Sequence, residues 1–272
     1  MNTLDFQGVK GWFISTARSR LIRMGVWVYQ DGDVLIDAGY NRACQKVLHT
    51  CDTKKLRFLM LTHVHEDHLG CASDLASKGM KIMVPALLKK DMLLLKVTVL
   101  PLYRRMFWGQ PHIPDPQSIT EVTGDQAIGM AHLRYIHTPG HSRSHHVVWD
   151  GEKRIVFLGD LYLGPRMTMA HPWEDPVAIA ESLRKVRELR PKVAFCAHRG
   201  MLRHPVTALT RKIEYIEWLI ERTRELSKRG LSTSEIANQL LGKEKLVSRI
   251  THGLYSRENV IHSILHGPEP EF

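Results

Sequence analysis

The sequence predicts a mixed α/β fold followed by an all-helical tail, and three observations predict it. Short apolar runs of strand length recur between residues 26 and 197, with helical stretches between them. A Gln30-Asp31-Gly32-Asp33 turn joins the runs 26–29 and 34–36, an Asp-Gly hairpin signal. After Pro205, Leu209, Ile213, Ile216, Ile220 and Leu226 fall mostly at three- and four-residue steps, one face of a long helix.

Each element follows in order. Residues 42–51 read as a short helix and 56–61 as a buried strand. Residues 67–78 read as one helix closed by Gly79, where a left-handed residue belongs. A strand at 81–84 is stopped by Pro85. The stretch 85–118 breaks this rhythm: it is long, apolar and aromatic, and it ends in Pro111, Pro114 and Pro116. It predicts a helical insertion that packs over something, as a lid would. Strand patterning resumes at 119–128, 133–137, 146–149 and 154–158; residues 175–189 are helical and 193–197 a short buried strand. Ser232 with Glu235 offers capping-box chemistry, and Ser256 opens a last helix. The expected division is a mixed α/β domain over 1–204 and a helical, winged-helix-like subdomain over 205–272.

Bulk properties narrow the class. The apolar stretch at 85–108 carries Lys89, Lys90, Asp91, Lys96, Arg104 and Arg105, too many charges for a membrane span. The first residues lack a basic start followed by an apolar run, and Cys44, Cys51, Cys71 and Cys196 form no CxxC pair. Both features predict reduced thiols and a cytoplasmic protein. The net charge of +10 suits an anionic substrate, nucleic acid or a membrane surface, and a solvated basic surface equally well.

The decisive segment is Thr62-His63-Val64-His65-Glu66-Asp67-His68-Leu69-Gly70, between an apolar strand and a helix. Three histidines and an aspartate so close together cannot be core packing, because each buried ring nitrogen needs a partner. Imidazole with carboxylate suits zinc. Further ligands are then expected at other strand ends, and His141, Asp160 and His198 each follow a short apolar run and a turn. Cys71 reads as a neighbour of the cluster rather than a ligand. His145 and His146 alternate along a strand, so one of them lines the pocket.

In these motifs the chain resembles the metallo-β-lactamase superfamily. HVHEDH, TPGHS, LGD and AHRG match its HxHxDH, TPGHT-like, GD and GH-like motifs, and Asp37 in LIDAG matches its early supporting aspartate. The resemblance covers about residues 26–200 and implies an αβ/βα sandwich with metals at one edge. Carried across, His63, His65 and His141 would hold one metal, Asp67, His68 and His198 a second, and Asp160 would bridge them. The final motif departs from Gly-His-Gly: Ala197 and Arg199 flank His198.

The function implied is that of a binuclear hydrolase with two Zn2+ per chain, iron or manganese being the alternatives. Bound metal would generate hydroxide near neutral pH for attack on a small acyl substrate: an ester, thioester or lactone. Asp67 and Asp160 would act in catalysis. Tyr162, also assigned a catalytic role, and Arg166 are the expected substrate contacts. The runner-up is a metal-dependent ribonuclease or phosphodiesterase, favoured by the basic surplus. A third reading is a catalytically silent, metal-stabilised binding protein. The helical tail would pack beside the site or mediate a homodimer.

Overall fold

Every residue of Val34–Ile36, Ile155–Gly159 and Val193–Cys196 is buried, so these strands need cover on both faces. The computed structural model, which describes residues 2–17, 19, 25–51 and 53–271, provides that cover in four layers. The first sheet comprises β1 (Thr3–Phe6), β2 (Val9–Ile14), β3 (Val26–Asp31), β4 (Val34–Ile36), β5 (Phe58–Met60), β6 (Lys81–Val84) and β7 (Ile119–Glu121), in that spatial order. Strands β1 to β4 meander antiparallel, and β4 to β7 are parallel. The second sheet comprises β8 (Arg134–His137), β9 (His146–Asp150), β10 (Ile155–Gly159), β11 (Val193–Cys196) and β12 (Gly200–Leu202); only β10 and β11 pair in parallel.

Helices α1 (Cys44–Thr50), α2 (Glu66–Leu69), α3 (Ala72–Ser77), α4 (Ala86–Leu95) and α5 (Leu102–Phe107) connect strands of the first sheet. Helix α6 (Pro176–Glu188) makes the β10–β11 crossover, and α7 (Pro205–Lys228), α8 (Thr233–Leu241), α9 (Leu246–Ile250) and α10 (Arg257–His266) follow β12. Side-chain alternation along each strand sorts the core. Val28, Leu35 and Leu59 face outward onto Val47, Leu69 and Leu75, whereas Tyr29, Ile36 and Met60 face inward onto Phe157 and Phe195. On the far side, Val156 and Leu158 pack with Leu183 of α6, Leu209 and Ile213 of α7, and Ile261 of α10. The result is an αβ/βα sandwich with additional helices on its second face.

The expected helix at 67–78 is broken, with α2 and α3 separated at Gly70 and Cys71. A side chain at Gly70 would lie 2.3 Å from the Asn41 nitrogen, so the backbones touch there. The amide of Gly70 donates to Gly39 O, and the Ala38 amide donates to His68 O. These tertiary bonds replace helical ones. The expected strand at 119–128 stops at Glu121, and Ile128 rejoins through a lone bridge to Leu133. Capping follows the sequence closely: Ser232 and Glu235 form a reciprocal box, and Ser256 accepts from the Asn259 amide.

Candidate metal centre

Loops at the strand ends bring the polar residues together. His63 and His65 follow β5, His68 stands on α2, His141 on the β8–β9 loop, Asp160 after β10 and His198 after β11. Gly159, at φ 50°, turns the chain into Asp160, and a side chain there would meet Thr62 Oγ1 at 2.6 Å and His145 Nε2 at 2.8 Å.

The ring nitrogens converge. His65 Nδ1 lies 3.0 Å from both His63 Nε2 and His141 Nε2. His198 Nε2 lies 3.3 Å from Asp67 Oδ2 and from Asp160 Oδ2. His68 Nε2 is 3.5 Å from Asp160 Oδ1, and His141 Nε2 is 3.5 Å from Asp160 Oδ2. Asp160 therefore stands between two sets. Among the described residues, three groups bring ligand atoms within 4.8 Å of one another: His63, His65, His141; His63, His68, Asp160; and Asp67, His68, His198.

The opposite nitrogen of each ring is turned outward to the protein. His63 Nδ1 donates to Thr62 Oγ1 (3.1 Å), itself a donor to Asp37. His65 Nε2 donates to Glu271 Oε1 (2.7 Å), His68 Nδ1 to Asp37 Oδ2 (2.8 Å) and His198 Nδ1 to Gly25 O (2.8 Å). His141 Nδ1 lies 3.5 Å from Glu174 Oε1. His63 and His65 are neutral with their protons held outward, so their inward nitrogens have lone pairs only. Two lone pairs 3.0 Å apart cannot satisfy each other; a cation can.

Charge follows the same plan. Burial, with the neighbouring histidines, drives His63 and His65 well below the ordinary imidazole value, so both are neutral. Burial also opposes charge on His68, His141 and His198, but the adjoining carboxylates outweigh it and their values rise. Burial likewise disfavours ionised Asp67 and Asp160. His68 and His198 outweigh it, and both carboxyls stay below the usual range. His68 Nε2 and Asp160 Oδ1 are buried with no hydrogen-bond partner. This donor set, imidazole nitrogens with two carboxylates around orphaned atoms, fits a divalent cation.

All seven residues of the sequence motifs meet at this centre. Tyr162 and Arg166 have other described contacts: Lys212 Nζ stands 5.4 Å over the Tyr162 ring, and Arg166 stands 5.9 Å from the Tyr215 ring. Cys71 Sγ donates to Tyr40 O. His145 sits beneath the centre, bonded to Thr138 Oγ1 and accepting from the Asp160 amide; His146 turns away to Ser144 O.

Sequence reasoning missed several supports. Glu66 is buried and pairs with Arg104 of α5, whose guanidinium also stands over Trp173. Asp91 of α4, fully buried, pairs with Arg143 on the His141 loop. The insertion is thus tied by two carboxylate–guanidinium pairs to the two histidine-bearing loops. A buried Glu66 inside HVHEDH calls for a cation, which was a readable signal; Glu174 and Glu271 carried none.

The comparisons agree with this fold. Residues 24–198 match the family model of the metallo-beta-lactamase superfamily. The chain is similar to a Beta-lactamase-like protein 2 homolog of Caenorhabditis elegans, 26% identical over 76% of this chain and 66% of that one. It is likewise similar to an atrochrysone carboxyl ACP thioesterase of Passalora fulva, 26% identical over 88% of this chain. The matched stretch is 64% of that thioesterase, so the chain spans somewhat less than two thirds of either relative. A beta-lactamase domain protein from Burkholderia ambifaria superposes with a TM-score of 0.74 at 18% identity, over 97% of this chain and 88% of that one. With its motifs converging at one edge of an αβ/βα sandwich, the chain belongs to the metallo-β-lactamase superfamily.

Proposed function

We propose that this protein is a binuclear, zinc-dependent hydrolase acting on a small acyl substrate, with a thioester first among ester, thioester and lactone. One observation carries the reading: four of the five histidines hydrogen-bond outward to the protein and the fifth faces a glutamate, while all five turn the opposite nitrogen inward beside two buried carboxylates. His63, His65 and His141 would hold one cation, Asp67, His68 and His198 the other, and Asp160 would face both. When bound, such cations lower the pKa of water to about 7 and polarise a carbonyl. The thioester preference draws support from the fungal relative named as a thioesterase.

The chain's own residues orient and enclose. Asp67, held ionised beside His198, would orient an attacking water, and Asp160 Oδ1, 3.5 Å from His68 Nε2 with no hydrogen-bond partner, would face the cation that His68 holds. His145, bonded to the Asp160 amide, fixes the backbone of that turn. Residues 85–118, fastened by Arg104 and Asp91, would form an apolar wall that keeps bulk water out. Residues 1–204 would be the catalytic unit and 205–272 a helical unit resting on α6.

The test is metal content and turnover together, for wild type, His68→Ala and Asp160→Asn. The panel is S-acyl thioesters, acyl homoserine lactones, an aryl phosphodiester and single-stranded RNA. About two metals per chain, with thioester turnover lost in both variants, is the expected result. Turnover of only the phosphodiester or RNA would replace the acyl reading with a nuclease, and metal uptake with no turnover would leave a binding protein.

A further inference from the structure

The segment after α10 reaches back to the metal centre from the far side of the chain. Gly267, at φ 86°, ends the helix, and the Glu269 amide donates to Pro172 O over 3.0 Å. This contact straps residues 267–271 onto the loop that carries His171, Trp173 and Glu174. The strap delivers Glu271 to His65, Oε1 to Nε2 at 2.7 Å, with side chains only 3% and 7% exposed.

The bond matters because an imidazole has two nitrogens and, when neutral, one proton. A carboxylate at Nε2 holds the proton there and leaves the Nδ1 lone pair facing His63 and His141. Thr62, Asp37 and Gly25 O do the same for His63, His68 and His198. For His65 the described structure offers no other acceptor. The Trp173 ring, at a centroid distance of 6.2 Å, has no acceptor atom.

We propose that Glu271 is a positioning residue of the metal centre: it sets the tautomer and ring orientation of His65, and the strap 267–271 is part of the site. The proposal rests on the metal reading above. Carboxylates behind ligating histidines change metal affinity by about 10- to 100-fold when removed, and that is the size of effect expected here.

The experiment uses the full chain as wild type, Glu271→Ala, Glu271→Gln and Glu269→Ala. Zinc affinity is measured by chelator competition, and histidine ring nitrogens by 15N NMR of the zinc-loaded protein. Thermal unfolding of each metal-free variant checks folding. Glu271→Ala should weaken the tighter zinc site by roughly 10- to 100-fold and lose the sharp, downfield ring proton of His65. Glu271→Gln, whose amide oxygen still accepts, should recover most of the affinity, and Glu269→Ala should match wild type because its contact is through the backbone. Wild-type affinity and an unchanged ring spectrum in Glu271→Ala would overturn the proposal while leaving the metal reading intact. A wild type that takes up no zinc would remove the metal reading, and this inference with it.

Discussion

His68 Nδ1 donates to Asp37 Oδ2 over 2.8 Å, while the other oxygen of the same carboxylate accepts the Thr62 amide over 2.8 Å. Asp37 sits at φ 60°, a left-handed position that the loop after β4 requires and that Asp and Asn tolerate better than most residues. One side chain thus fixes both the histidine on α2 and the start of the loop bearing His63 and His65. Asp37→Asn keeps the backbone conformation and removes the charge. The metal held by His68 should bind roughly 10- to 100-fold more weakly, with the His63–His65–His141 metal much less affected. Stepwise chelator titration measures this; equal weakening at both sites would mean that Asp37 holds the loop and does not tune His68.

Much of the centre was legible because its chemistry is local. HVHEDH packs three rings and a carboxylate into one loop, and no core explains that density. The strand runs were legible from two-sided apolarity, and the caps at Ser232 and Ser256 from short-range chemistry. What could not be read depends on distance along the chain. Gly70 breaks the expected helix because Asn41 touches it, and Glu271 bonds His65 from 206 positions away. Tyr162 and Arg166 are close to Asp160 in sequence, yet their described contacts are with Lys212 and Tyr215 of α7, which a sequence window does not contain.

Metal binding should release protons, and unequally. In the metal-free chain the carboxylates raise His68, His198 and His141 above the ordinary imidazole value, whereas His63 and His65 are already neutral. A cation at His63, His65 and His141 displaces one such proton; one at Asp67, His68 and His198 displaces two. As pH falls the second site should lose affinity more steeply than the first, because two raised histidines compete with protons there against one. Zinc isotherms between pH 6 and 8, in buffers of different ionisation enthalpy, count the protons. Identical slopes at both sites would contradict the assignment.

The Arg104–Glu66 pair should be costly to break and cheap to replace. Both side chains are buried, and the carboxylate accepts from Arg104 Nε at 2.7 Å. Arg104→Met leaves a buried Glu66 uncompensated and should destabilise the metal-free protein by about 3–5 kcal/mol. Adding Glu66→Leu removes that charge, and the double variant should recover most of the loss. Urea unfolding of all four proteins closes the cycle. Simple additivity of the two single effects would mean that the residues do not act as a pair.

Lys212 of α7 gives the last prediction. It is almost wholly buried, its Nζ donates to Leu161 O at 3.2 Å, and burial pushes its pKa down from 10.5 to about 8. A lysine whose value falls on folding binds fewer protons in the native state between about 8 and 10.5, so stability rises with pH across that window. Below it the native protein carries the full cost of a buried ammonium, about 3 kcal/mol before its bond to Leu161 offsets part of it. Lys212→Met keeps the volume and the unbranched shape while removing the charge. At pH 7 the variant should be more stable than wild type by about 1–3 kcal/mol, less whatever the orphaned Leu161 carbonyl costs. The advantage should shrink as pH rises from 8 towards 10.5, where wild-type Lys212 becomes neutral in both states. Urea denaturation of the two proteins at pH 7 and pH 10 reads the difference. If the variant proves less stable at pH 7, the contact with Leu161 and the Tyr162 ring outweighs desolvation, and Lys212 anchors the Asp160 turn from below.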